Sequence, residues 1–382
     1  MALAESNDLH MLRETARRLT DREFRAKAAH WDRDAEPPLE NLRILGDNGL
    51  AGITVEEQYG GSGAPVVFAV AAIEEVARGC TATAAFILAN CVSAEILQRF
   101  GNEAQKQKYL PPLARGEFLG AWAMTEANAG SAATELITKA IPEGDHYRLT
   151  GNKIFITRAA IAEFFIAFAR VGSEPGAKGV TAFIVDKGTP GLRIGARDLH
   201  MGLRGGASAE VIFDDCKVHK DNMLMPPGGF GKLMRGLNQA RVLNPGMCLG
   251  IAEESLKLAT LYAQTRRQFG KRIADFQGIQ WMLAEMAIRV DAMRLLIYRA
   301  AEQLGDGHPD GPHNAAIAKA FSGEAAFEVV DKAMQIHGGS GYSSALPIER
   351  MLRDVRAFKI GGGATEIMRN RIAAGLFERY PA

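Results

Sequence analysis

The chain reads as mainly α-helical with a central β domain, and two changes of pattern along its 382 residues predict this. Apolar residues recur at helical spacing up to about Gly116, then alternate or cluster in short β-branched runs, and return to helical spacing after Pro226-Pro227-Gly228-Gly229. Helical, β, helical is a segregated order, which argues against a doubly wound parallel sheet. The domain limits expected from these changes are 1–118, 119–226 and 227–382.

In the first part, Leu12, Ala16 and Leu19 recur at three and four residues, as do Leu39, Leu42 and Leu45, followed by Val67 to Ala77. Pro37-Pro38 and Tyr59-Gly60-Gly61-Ser62-Gly63 mark the loops between them. In the middle third, Tyr147 and Leu149 alternate with polar residues, and Phe164 to Val171, Val180 to Asp186 and Ala209 to Phe213 are strand-like runs separated by turn residues. In the last part, Ile279, Met282, Leu283, Met286, Val290, Met293, Leu296 and Ile297 form one stripe of a helix over Ile279 to Leu304. Ala315 to Ile336 and Glu366 to Phe377 read as two more rods of a helical bundle.

Composition narrows the function classes. With 47% apolar residues the chain can build sizeable cores, and 45 basic against 44 acidic residues leave a formal charge of +1. That balance offers no broad field for nucleic acid or an anionic membrane. Cys80, Cys91, Cys216 and Cys248 are widely spaced and read as buried free thiols. No secretory pattern opens the chain and no apolar run approaches bilayer length, the longest being Val66 to Ile73, so a soluble cytoplasmic protein is expected. There is no GxGxxG in a strand-to-helix setting, no Walker motif, no HExxH and no catalytic serine motif. No metal site is expected.

Five segments carry the chemistry. Trp122-Ala-Met124-Thr125-Glu126-Ala-Asn-Ala-Gly130-Ser131 is a loop of small residues and hydroxyls, through which backbone N–H groups can approach a ligand. Gly151-Asn-Lys-Ile-Phe155-Ile-Thr157 has good strand composition. Tyr262-Ala-Gln-Thr-Arg266-Arg267-Gln268-Phe269-Gly270 places two arginines near a helix end, and Gln335-Ile-His337-Gly338-Gly339 ends another helix. His337 has no metal partner in view and reads as a satisfied helix-end residue. The last segment, Arg353-Asp354 through Ile360-Gly361-Gly362-Gly363-Ala364-Thr365-Glu366, joins two helices.

Taken in order over nearly the whole chain, these segments resemble the signatures of the acyl-CoA dehydrogenase flavoprotein family. The resemblance implies its fold: a helical domain, a β-barrel-like domain and a C-terminal four-helix bundle. It implies noncovalent FAD, an acyl-CoA thioester substrate, a homotetramer built as a pair of dimers, and an electron-transfer flavoprotein as partner if the chain is a dehydrogenase. By the same resemblance Trp122, Met124 and Thr125 line the flavin's pyrimidine edge, and Phe155 and Thr157 cover one face and reach the reactive nitrogen. Arg266, Gln268 and Phe269 serve the flavin of a neighbouring subunit, joined from another helix by Gln335, Gly338 and Gly339, and Ala364 and Glu366 are further cofactor-side positions. Ser131 touches flavin phosphate or substrate, and Asn238, Arg241, Gly361 and Gly362 face the substrate. Departures are Ala127, Ala132 and Arg158 for the family's proline, aspartate and asparagine; Arg158 either stabilises a reduced, anionic flavin or pairs with a surface carboxylate.

The family's catalytic glutamate falls on Gly362, and a subset's alternative on Ala240, just before Arg241. Neither can accept a proton. The backbone N–H of Gly362 remains to polarise a thioester carbonyl, and Gly361, in place of tyrosine, widens the pocket. Three readings follow: a dehydrogenase whose base is Glu366, Glu126 or Glu135; base-independent chemistry such as that of the 3-sulfinopropionyl-CoA desulfinase branch, which Ala129 to Glu135 and Ile360 to Gly363 resemble; or a non-catalytic flavin- or acyl-CoA-binding protein. The desulfinase branch holds its sulfinate with an arginine that Cys80 to Asn90 does not contain.

Overall fold

The computed structural model describes residues 6–236 and 238–381, so residues 1–5 of the first expected domain, Ala382 of the third, and Leu237, beside Asn238, lie outside it. Six α-helices open the chain, at Asn7–Leu19, Ala28–Asp34, Leu39–Asp47, Val66–Ala77, Thr81–Phe100 and Glu103–Ala114. The first begins where the Ser6 side chain accepts from Leu9 N, and the last at a reciprocal pairing of Asn102 and Gln105. Glu74 and Glu75 do not end the apolar helix that carries them. They are buried and answered by Arg13, Arg17, Arg78 and Arg294. Thr81–Phe100 has the length and hydropathy of a bilayer-spanning helix, which corrects the expectation that no run approaches it; most of it is buried within the protein, as in a core helix.

The middle of the chain forms a seven-stranded curled sheet: β1 Gly120–Ala123, β2 Lys139–Glu143, β3 His146–Ile156, β4 Phe164–Arg170, β5 Val180–Asp186, β6 Leu192–Arg197 and β7 Ala209–His219. The order is β1-β4-β2-β3-β7-β6, with β5 antiparallel to β4. β4 and β5 are buried along almost their whole length, which is why their sequences read as continuous apolar runs rather than alternation. β7 continues six residues beyond the predicted Phe213, because its polar outer residues still pair with the start of β3. The β3–β7 register breaks between Leu149 and Gly151 and again between Lys153 and Ile156. Such irregularities re-aim side chains, and the second one sits at Phe155.

Helices return at Ala240–Thr265, Gln277–Gly305, Gly311–His337 and Thr365–Arg379, with a shorter one at Ile348–Arg356. The predicted stripe Ile279 to Leu304 thus gains residues at both ends, as do the other two predicted rods. Gly311–His337 packs against the other three long helices. Val66–Ala77 packs in turn on Ala240–Thr265, so a single apolar core runs from the first helical region into the last. The sheet keeps a separate core around Phe165, Phe183, Val211 and Phe213.

Candidate active site

The first cluster lies where β1 meets β3. Ile154 N donates to Thr125 O at 2.9 Å, tying the loop after β1 to the bulged end of β3. Trp122, Met124, Thr125 and Thr157 are half-buried there, and Phe155 is 58% exposed, a flat apolar ring open to solvent. Phe155 adopts φ 57°, which the bulge imposes, while Lys153 turns into the interior. Trp122 packs on Phe168 with ring centroids 4.6 Å apart. Ser131 is exposed on the same loop.

Glu126 is the hub that shapes this loop. Its carboxylate accepts from Ile137 N at 2.6 Å, Thr138 N at 3.0 Å, the Thr138 hydroxyl and Lys153 Nζ at 2.6 Å. Burial works to raise its pKa, but Lys153 and these donors outweigh it and hold the group below the usual carboxylate range. Burial pushes Lys153 down to about 8. Glu126 is therefore committed to the loop and unsuited to take a proton. Glu135 and Glu366 are both exposed.

Arg158 follows Thr157 at φ 70°, its N–H donating to Gly206 O at 2.8 Å. Its side chain is 9% exposed, its Nε has no partner, and burial lowers its pKa to about 10. Among the described residues no carboxylate pairs with it, which removes the surface ion pair left open by the sequence.

The second cluster sits in the last helical region. Arg266, Gln268 and Phe269 lie on or beside a small hairpin, Arg267–Gln268 with Lys271–Arg272, and all three are exposed, Phe269 at 92%. Gln335, Gly338 and Gly339 are exposed where one helix stops, Gly338 at φ 58°. His337 is buried, its Nδ1 bonded to Ala333 O at 2.7 Å and its ring stacked on Tyr262. It is a satisfied helix-end residue.

The third cluster joins the two positions that lack a carboxylate. Asn244 Nδ2 donates to Ala240 O at 2.9 Å, and a Cβ placed on Gly362 would stand 2.8 Å from the same nitrogen. Residues 122 positions apart therefore meet at one amide. Gly362 and Gly363 hold φ 70° and 101°, so this turn requires glycine. At Gly361 a Cβ would meet only Ala357 O at 3.5 Å. Ala364 precedes the Thr365–Arg379 helix and Glu366 stands in its first turn. Arg241 Nη1 donates to Asn238 Oδ1 at 2.5 Å, and both residues are buried.

Sequence reasoning missed Asn244 and Lys319. Lys319 is 1% exposed, its Nζ donates to Phe358 O, and its Cε would lie 3.7 Å from a Cβ at 362. The signal was a lone lysine on the buried face of Ala315, Ser322 and Ala326.

Family profiles for the acyl-CoA dehydrogenase N-terminal, middle and C-terminal domains match residues 6–117, 121–216 and 228–377. The chain belongs to the acyl-CoA dehydrogenase family. It is 36% identical over 374 residues to the short-chain-specific acyl-CoA dehydrogenase of Clostridium acetobutylicum, covering 97% of this chain and 98% of that one. It is 38% identical over 371 residues to the 3-sulfinopropanoyl-CoA desulfinase of Paraburkholderia xenovorans, covering 96% and 95%. The solved butyryl-CoA dehydrogenase of Megasphaera elsdenii superposes with a TM-score of 0.95 at 35% identity, over 99% of this chain and 100% of that one. Acyl-CoA dehydrogenases are flavin-dependent enzymes that use FAD. The first cluster fits such a group: a solvent-open aromatic ring on a bulge and two half-buried hydroxyls stand where the loop after β1 is tied to the end of β3, and Arg158, buried with its Nε unpartnered, follows directly after Thr157.

Proposed function

We propose that this acyl-CoA dehydrogenase family member binds FAD and an acyl-CoA thioester but performs its chemistry without the family's glutamate base. One observation carries this: Ala240 and Gly362, the two places where the resemblance puts a base, converge on Asn244, and neither has a carboxylate. Glu126 cannot substitute, because four donors already hold it.

FAD, when bound, supplies a hydride acceptor. Trp122, Met124, Thr125, Phe155 and Thr157 would orient it from the sheet, with Ala364 and Glu366 as further cofactor-side positions, while Arg266, Gln268, Phe269, Gln335, Gly338 and Gly339 would complete the site from a neighbouring subunit. The exposure of Phe269, and of Trp281, Ile288 and Leu295 at intervals of seven on one helix, supports a homotetramer in which these faces are covered. Gly362 N–H would polarise the thioester carbonyl, Asn238 and Arg241 would face the acyl group, and Ser131 the nucleotide arm. We place the three domains at 1–118, 119–226 and 227–382 and the protein in the cytoplasm.

Base-independent cleavage of a sulfinyl thioester is the second reading, favoured by the empty base positions and the relative named as a desulfinase. The FAD-loaded enzyme would be mixed with a panel of acyl-CoAs. Bleaching of the flavin marks oxidation, with electron-transfer flavoprotein as the physiological acceptor; sulfite release without any acceptor marks desulfination. If no thioester yields bleaching or a product by mass spectrometry, the enzyme reading fails and a binding protein remains.

A further inference from the structure

The turn that carries Gly361 to Gly363 is tied, through one short helix, to the segment that backs the bulged end of β3. Gly361 N donates to Ala357 O at 2.8 Å, which folds the turn onto the end of the Ile348–Arg356 helix. That helix presents two consecutive charged residues to the chain between β6 and β7. Arg353 Nη1 donates to Met201 O at 2.9 Å, and the same guanidinium engages the Asp32 carboxylate at 3.0 and 2.5 Å and Glu349 at 2.7 and 2.9 Å. Asp354, 5% exposed, accepts from Leu203 N at 2.6 Å. Between these bonds the two backbones touch, since a Cβ on Gly202 would stand 2.3 Å from Arg353 O. Only glycine permits so close an approach.

From this anchor the segment reaches the bulge on two sides. His200, next to the pinned Met201, lies with its ring 6.1 Å from that of Phe155. Leu203 and Ala207 hold φ 51° and 50° and bracket a tight turn in which Gly206 N donates to Leu203 O at 2.8 Å. Gly206 O accepts from Arg158 N at 2.8 Å, Ala207 O accepts from Ala160 N at 3.3 Å, and a Cβ on Gly206 would stand 3.4 Å from Thr157 Cγ2. Left-handed backbone at leucine and alanine is unfavourable and persists only where the surroundings dictate it. Here those surroundings are the Asp354 carboxylate on one side and the end of β3 on the other.

We propose that Arg353 and Asp354 are positioning residues for the cofactor site: their bonds to Met201 O and Leu203 N set segment 198–207 against Phe155, Thr157 and Arg158, and so hold the flavin edge of the sheet in register with the glycine turn. The inference rests on the assignment of Phe155 and Thr157 to FAD made above. Neither charged residue reaches the cofactor itself; both act through the strap between them and β3. Without the Asp354 acceptor the Leu203 N–H is orphaned and the left-handed turn loses one of its two supports, so the backing of Thr157 relaxes.

The test uses the full-length protein and compares FAD affinity, by titration of the apoprotein, with the visible circular dichroism of bound FAD and the apoprotein Tm. Asp354→Ala should weaken FAD binding about tenfold, as expected when a buried hydrogen bond is broken from one side, and should alter the dichroism. Asp354→Asn keeps an acceptor for Leu203 N and should stay within about twofold of the wild type with an unchanged dichroism. Arg353→Gln removes the bond to Met201 O from the half-buried end of the anchor, so it carries the test where Asp354→Ala does not fold, and it should alter the dichroism as well. Tyr298→Phe is the control: it removes a buried hydrogen bond to Glu74 in the helical core and should lower the Tm with both flavin readouts unchanged. Unaltered affinity and dichroism in Asp354→Ala and Arg353→Gln, or an equal change in Tyr298→Phe, overturns the inference and leaves the FAD reading intact. A wild type that takes up no FAD overturns that reading, and the inference with it.

Discussion

Asn244 stands against Gly362 so closely that a Cβ there would lie 2.8 Å from its Nδ2. The glycine is also held at φ 70°, where a side chain costs about 1–2 kcal/mol. Gly362→Glu alone is therefore expected to lower the Tm. Adding Asn244→Ala relieves the contact, though not the backbone strain, and should recover part of the loss. A base typically contributes about 10²–10⁴-fold, so the double variant should oxidise butyryl-CoA faster than either parent if a base is all that is lacking. Dye-linked oxidation rates check this, and no gain in the double variant would show that the pocket itself has diverged.

Glu126→Gln should destabilise the protein far more than a surface change. It leaves Lys153, fully buried, without its counter-ion, and breaking one side of a buried pair costs about 3–5 kcal/mol. Thermal unfolding of the apoprotein would show the loss. If Glu126 were instead a catalytic base, the variant would keep its Tm and lose turnover.

The helices and β4 and β5 were legible because a stripe at helical spacing and an unbroken apolar run each have one low-energy packing. The residues assigned to a flavin were singled out only through motif resemblance, since composition alone gives a loop of small residues. Lys319 and Asn244 escaped for a physical reason: they meet Gly362 from 43 or more positions away in sequence, and no local period encodes that meeting. The bulge at Phe155 was equally hidden, because it depends on the register of β7.

Arg266→Ala should weaken FAD retention without changing the Tm of the apoprotein. Arg266 is exposed, so the lone chain loses little folding energy when it is truncated. Its guanidinium would serve phosphate oxygens across a subunit boundary. The FAD content after gel filtration, read beside apoprotein Tm, separates the two effects. Unchanged FAD content would sink the assignment.

Asp354 gives the fold a defined pH dependence. Burial raises its pKa to about 6, against the hydrogen bond from Leu203 N at 2.6 Å. Because the folded pKa lies above the unfolded one, this contribution is complete below about pH 4 and is lost as pH rises to about 6. Asp354→Asn keeps an acceptor for Leu203 and cannot ionise, so its stability relative to the parent should rise across that window and level off above it. Parallel Tm curves between pH 4 and 7 would contradict this.

Arg158 tests whether an unpaired buried charge is kept for the cofactor. Its guanidinium is held out of water, with no carboxylate partner among the described residues and no bond to Nε, an arrangement that costs stability. Arg158→Asn accepts the same left-handed backbone, since asparagine tolerates φ near 70°. The apoprotein Tm should therefore rise. If the cation faces bound FAD, removing it should also lower the FAD midpoint potential, because a nearby positive charge favours the more electron-rich form. A rise in Tm with an unchanged potential would place Arg158 away from the flavin, and a fall in Tm would mean that its aliphatic stem contributes more to packing than its charge costs.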